Sequence, residues 1–202
     1  MYVVSTRDKS LPEDQHATDA QVGIFYDGLD HSTLYATLAK KTRLPTLKDR
    51  YSQRLGTYIE NTALQAEEAM NYELGYQGKW DRSTLNVALF LSDIDDKIQS
   101  VANVQNDLSQ MQNIGQVVIF GTELQVSHQP VSWLSLKGNY TYLHAENKNS
   151  ATKVTDLPQH KLLGAVVIEP IAGLEIQADL EHNSSQWVSD EEKLKGFQLI
   201  NA

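Results

Sequence analysis

Met70-Asn71-Tyr72-Glu73-Leu74-Gly75-Tyr76-Gln77-Gly78 runs through Trp80-Asp81-Arg82 into Leu85-Asn86-Val87-Ala88-Leu89-Phe90, and the stretch closes with Asp93-Ile94-Asp95-Asp96-Lys97-Ile98. Tyr72, Leu74 and Tyr76 alternate with Asn71, Glu73, Gly75 and Gln77. On the second arm Leu85, Val87, Leu89 and Leu91 alternate with Asn86, Ala88, Phe90 and Ser92. One apolar and one polar face at period two is the pattern of a half-buried strand, and two such runs joined by a short turn make an antiparallel hairpin.

The pattern spreads in both directions. Tyr2 to Ser5 reads as a strand end and Arg7 to Asp19, with Pro12, as a loop. Ala20 to Tyr26 and Ser32 to Thr42 read as strands around the turn Asp27-Gly28-Leu29-Asp30, with Leu34, Ala36 and Leu38 on one face. Val117 to Gln129 and Leu134 to His144 pair around Pro130 to Trp133. Lys161 to Glu169 and Leu174 to His182 pair across Pro170-Ile171-Ala172-Gly173, and Phe197 to Ile200 starts a further strand. The stretches Leu44 to Ala69, Val101 to Gln116, Glu146 to Gln159 and Asn183 to Gly196 are polar and read as long loops.

Composition narrows the function classes. The 202 residues contain no cysteine, which excludes disulfides and thiolate metal sites. A net charge of -9 argues against a nucleic-acid surface. No secretory n-region or h-region stands at the start. No stretch of eighteen apolar residues exists for a membrane-crossing helix, but alternating barrel strands never produce that signal.

Connection length decides between the remaining all-β architectures. The turns near Gly28, Asp81, Ser132 and Ala172 are short, and those after Arg43, Ile98, Ala145 and Asn183 are long. An up-and-down transmembrane barrel has this alternation built in, with short periplasmic turns and long extracellular loops. Strands of about nine to eleven residues also match a tilted bilayer span, where soluble strands average about five or six. The expectation is an antiparallel up-and-down transmembrane β-barrel, here as an incomplete fragment of about nine or ten strands, since an apolar outer band is stable only in a closed ring. Leu34, Leu74, Leu89, Leu124, Leu136 and Ile176 are expected on the convex, lipid side. Glu73, Asn86, Glu123, Lys137 and Gln177 are expected on the concave side. A soluble, secreted adhesive β domain is the rival, and it requires the apolar faces to turn inward on a core. A passive porin-like barrel is a third possibility.

Particular residues carry a family resemblance. Arg43-Leu44-Pro45-Thr46-Leu47 with Asp49-Arg50-Tyr51 resembles the R-x-P-x-x-x-E/D-x-Y segment of TonB-dependent outer-membrane receptors. Leu64-Gln65-Ala66-Glu67 and Asn71-Tyr72-Glu73-Leu74-Gly75 resemble their L-x-P-E-x-x-x-N-Y-E-x-G, with Ala66 in place of the usual proline. Ala88-Leu89-Phe90 with Asp95 to Ile98, Phe120-Gly121-Thr122-Glu123-Leu124, Gly138-Asn139-Tyr140-Thr141-Tyr142 and Leu157-Pro158-Gln159-His160 are similar to further strand motifs of that family, in the same order. The resemblance implies a barrel of about 22 strands around a plug, residing in the bacterial outer membrane. It implies uptake of a scarce nutrient, such as a ferric siderophore, haem or cobalamin, energised by TonB. Residues 1–202 would be a C-terminal part of the barrel, with the plug, the TonB-contacting part and the final strands outside them. The partners implied are outer-membrane lipid, TonB and the nutrient. No catalytic motif and no cofactor site stands out.

Arg43, Arg50 and Arg54 lie near the expected mouth. Guanidinium groups there suit carboxylate or phosphate on a ligand, and structural loop contacts are the favoured reading. Asp93, Asp95 and Asp96 are closely spaced oxygen donors, but without the glycine and terminal glutamate of a calcium loop they read as a solvated strand end. His128, His144, His160 and His182 show no i, i+4 pair of the kind that binds zinc on a helix.

Overall fold

The computed structural model describes residues 17–53 and 56–202. The strand end at 2–5, most of the loop at 7–19 and Arg54 lie outside the described residues. Nine strands form one antiparallel sheet among the described residues: β1 (Ala20–Leu29), β2 (Ser32–Arg43), β4 (Glu67–Trp80), β5 (Ser83–Asp95), β8 (Val117–Val131), β9 (Leu134–Asn147), β10 (His160–Ile171), β11 (Leu174–Asn183) and β14 (Phe197–Asn201), in that spatial order. Each strand pairs with its neighbour along the chain within the sheet. β1 and β14 are the edges, so the sheet is not closed.

The register carries the face assignment across the sheet. Leu34 stands opposite Tyr76, Leu74 opposite Leu89, Val87 opposite Leu124 and Leu124 opposite Tyr140. Leu136 stands opposite Val166, and Ile168 opposite Ile176. These residues therefore share one face, and its side chains are open: Ile24 is 74 % exposed. On the other face Thr37 meets Glu73, Gln77 meets Asn86, Asn86 meets Gln125, Glu123 meets Thr141 and Ser127 meets Lys137. An apolar face left open over the whole sheet removes the soluble β domain, whose stability would come from burying that face. A continuous apolar exterior opposite a polar wall is what lipid on one side and water on the other require.

The two rims differ as expected. On one, Asp30-His31, Asp81-Arg82, Ser132-Trp133 and Ala172-Gly173 close each hairpin with two residues. The first turn thus falls later than the sequence suggests, because β1 continues through a register shift between Tyr26 and Leu29. Similar shifts between His128 and Val131 and between Ile168 and Ile171 hold Pro130 and Pro170. Proline lacks a ladder donor and is tolerated at such bulges.

On the other rim the long connections are structured, which the sequence reading missed. The stretch 44–66 holds α1 (Leu47–Tyr51) and β3 (Tyr58–Ile59). Val101 to Gln116, read as loop, is mostly a hairpin of β6 (Ile98–Gln105) and β7 (Leu108–Asn113). Asn106 and Asp107 both adopt positive φ at its tip, which closes a two-residue turn matching strand twist. β3 adds to β7 in parallel, so two loops build one small sheet. β12 (Gln186–Trp187) and β13 (Lys193–Leu194) form a further short hairpin. The most deeply buried apolar side chains lie where these loops meet the wall. Leu64 is 1 % and Val117 0 % exposed, and Ile94, Ile98 and Ile114 are buried with them.

Candidate functional site: the loop-side mouth

The mouth is organised from the end of β2 outward. Thr46 caps α1: its Oγ accepts the Asp49 N–H at 3.1 Å, and the Asp49 carboxylate accepts the Thr46 N–H at 3.0 Å. This reciprocal box satisfies two amides that a helix start leaves open. The same Asp49 Oδ2 accepts from Arg43 Nη2 at 2.9 Å, and Arg43 Nη1 donates to Glu67 Oε1 at 2.9 Å. Arg43 thus bridges α1 to the start of β4.

Arg50 is turned inward. It is 5 % exposed, and its Nη1 and Nη2 donate to the carbonyls of Thr62 at 3.3 Å and Leu64 at 3.1 Å. The structure thus places Arg43 and Arg50 in loop contacts, Arg43 with Asp49 and Glu67 and Arg50 with the carbonyls of Thr62 and Leu64. Arg54 lies outside the described residues.

Side-chain amides then tie loop to loop. Asn61 Nδ2 donates to the Met111 carbonyl at 2.8 Å, and Asn113 Nδ2 to those of Gln65 and Asp96 at 3.2 and 2.7 Å. Gln99 reaches the third loop: its Nε2 donates to the Lys153 carbonyl at 2.8 Å and its Oε1 accepts the Thr155 N–H at 3.0 Å. The fourth loop joins through the Lys153 N–H to Asp190 at 2.6 Å and the Asp156 N–H to the Trp187 carbonyl at 2.8 Å. Lys153 and Lys193 each bring Nζ to 5.4 Å from the Trp187 ring centre, within cation–π range. The four long loops therefore share one rim, as antiparallel connectivity requires.

Between them opens a cavity of about 540 Å³ lined by Lys48, Asp49, Tyr58, Lys97, Gln99 and Ser100, with Ser52, Ile98, Met111, Thr155, Asp156 and Val188 completing it. Tyr58 Oη and Ser100 Oγ are hydrogen-bonded at 2.6 Å. Among the described residues, Lys48 and Lys97, rather than Arg43 and Arg50, are the cations that line it. The sequence offered no signal for Lys97, because its place depends on the β6–β7 hairpin. The capping pair Thr46 and Asp49, which sets Lys48, was readable at its three-residue spacing.

Away from the mouth the polar wall carries its own contacts. Tyr35 Oη donates to Glu73 at 2.6 Å, and its ring lies over Gly75, where any Cβ would collide with it. Asp93 accepts the Gln116 amide at 2.8 Å, so it is part of the strand-end network. On the apolar face instead, His160 Nδ1 lies 2.8 Å from Tyr140 Oη, and His128 Nδ1 lies 2.8 Å from Ser83 Oγ.

An open-ended antiparallel sheet, apolar outside and polar inside, with a loop-built polar mouth, defines a wall segment of an outer-membrane barrel. Residues 3–201 match the family described as TonB dependent receptor-like, beta-barrel, and the chain belongs to that family. It is 31 % identical over 120 residues to the ferrienterobactin receptor of Escherichia coli (strain K12), a match that covers 55 % of this chain and 16 % of that relative. In fold it resembles the ferric enterobactin receptor of Pseudomonas aeruginosa, at a TM-score of 0.71 and 18 % identity, covering 90 % of this chain and 31 % of that one. It also resembles the copper transporter OprC, at a TM-score of 0.73 and 18 % identity, covering 89 % and 29 %. The chain thus spans less than a third of each of these relatives.

Proposed function

We propose that this chain forms part of the wall and mouth of an outer-membrane receptor that takes up a scarce nutrient as an anionic chelate, with a ferric siderophore as the best candidate, energised through TonB. The observation that carries the reading is the loop-built cavity, where Lys48 and Lys97 stand among hydroxyl and amide groups. Ammonium groups with neighbouring hydroxyls and amides suit an oxygen-rich anion of several charges. A ferric catecholate has that character. Cobalamin lacks it, and haem adds a large apolar face that this cavity matches less well. Relatives named for ferric enterobactin support the choice. In this reading Lys48 and Lys97 face the ligand, Arg43 and Arg50 hold the loops, and Arg54 remains a candidate mouth cation.

The test is accumulation of radiolabelled iron by cells that lack their own siderophore receptors and express the full-length receptor containing this chain. Iron supplied as ferric enterobactin accumulates in cells with active TonB and not in cells without it. Accumulation independent of TonB would favour a passive pore, and none with any ferric chelate would remove the substrate class.

A further inference from the structure

We propose that Glu67 is a positioning residue of the mouth, acting with Arg43 to place Lys97 and α1 around the cavity; this rests on the reading of that cavity as the chelate's landing site. Glu67 opens β4 and is buried where the wall meets the loops. Its Oε1 accepts the Ile98 N–H at 2.8 Å and Arg43 Nη1 at 2.9 Å, and Lys97 Nζ stands 4.0 Å away. Lys97 and Ile98 line the cavity from the β6 side. Asp49 lines it from α1 and is held by the other nitrogen of the same guanidinium, at 2.9 Å.

One carboxylate therefore fixes both walls, one directly and one through Arg43. A buried carboxylate that holds an amide and a guanidinium resists displacement, because moving either leaves a charge uncompensated in a low-dielectric site. Lys97 sits at the outer limit of an ion pair with Glu67, so its ammonium is steered by Glu67 and still has donors for a ligand's oxygens. Lys48 travels with α1, whose first turn Asp49 anchors. Glu67 does not line the cavity and acts only through these neighbours.

The experiment is a double-mutant cycle on the full-length receptor, purified in detergent, with ferric enterobactin as the probe and quenching of intrinsic fluorescence as the readout. K97Q and E67Q are each expected to weaken binding about tenfold, and the double variant to bind no worse than either single one, as coupled residues do. If K97Q weakens binding while E67Q leaves it unchanged or adds its loss in full, the positioning role is overturned and the mouth reading stands. If K48Q and K97Q both bind as the parent does, the mouth reading fails and the positioning role falls with it. Should E67Q not migrate as a folded barrel on unheated gels, E67D with K97Q carries the cycle, with the same coupled and additive outcomes.

Discussion

Leu74 and Leu89 stand directly opposite one another in the β4–β5 ladder, in the middle of a nine-stranded sheet, and they are 56 % and 55 % exposed. A cross-strand leucine pair at the centre of a sheet normally lies in a core. Here the polar residues Glu73 and Asn86 occupy the other face. The pair is satisfied only by a solvent as apolar as itself.

Arginine at the two faces should therefore have unequal effects. Leu89→Arg is expected to destabilise the lipid-embedded barrel by about 2–4 kcal/mol if the site lies near midplane, while Asn86→Arg, on the water side, is nearly neutral. Urea unfolding of the full-length receptor in phospholipid vesicles measures both. Equal losses would contradict the facing.

The isolated 202 residues should not behave as a stable soluble monomer. The strands β1 and β14 offer unpaired edges, and the open apolar face has no lipid in aqueous buffer. Size-exclusion chromatography and thermal unfolding without detergent check this. The expected result is aggregation or absence of a cooperative transition, and a monodisperse monomer with a sharp transition would count against it.

Replacing Arg50 by methionine should loosen the 52–66 loop without unfolding the wall. The substitution removes a donor from the Leu64 carbonyl in a buried place and from the Thr62 carbonyl in a part-buried one, and the loss of the buried hydrogen bond costs about 1–3 kcal/mol. Hydrogen exchange should quicken around Asn61 to Leu64 and stay unchanged in β4 and β5. Uniform quickening throughout would show that Arg50 supports the whole barrel.

Thr46→Ala removes half of the capping box on α1. The expected loss is about 1 kcal/mol of local stability, read as faster exchange at Asp49 and Arg50. If Asp49 also loses its hold on Arg43, ferric enterobactin binding should weaken along with it. Unchanged exchange would mean that the Arg43 bridge alone holds the helix.

The wall was legible because lipid and water impose period two on every strand, as in Tyr72-Glu73-Leu74-Gly75-Tyr76, and a single register links each strand to the next. The loops were less legible. Residues 98–113 form a hairpin, but their side chains do not alternate cleanly, since Gln99 is buried to bridge loops and Val104 is exposed. The turn signal at Asn106-Asp107 was present without the flanking pattern that would give it meaning. The arginines at 43 and 50 were found at the mouth, yet their roles depend on partners twelve to twenty-four residues away, Leu64 and Thr62 for one and Glu67 for the other. Lys97 was invisible as a cavity residue because it lies in the turn between β5 and β6, whose course depends on the β6–β7 hairpin.

The facing of the sheet is the claim on which the others stand, and spin-label accessibility tests it most directly. Labels are placed singly at positions 89 and 86 of the full-length receptor in lipid vesicles. Collision with dissolved oxygen, which partitions into lipid, is compared with collision with a water-soluble nickel chelate. The account predicts a label at 89 that meets oxygen and escapes nickel, and one at 86 that meets nickel. Equal accessibility at the two positions, or the reverse assignment, would contradict it.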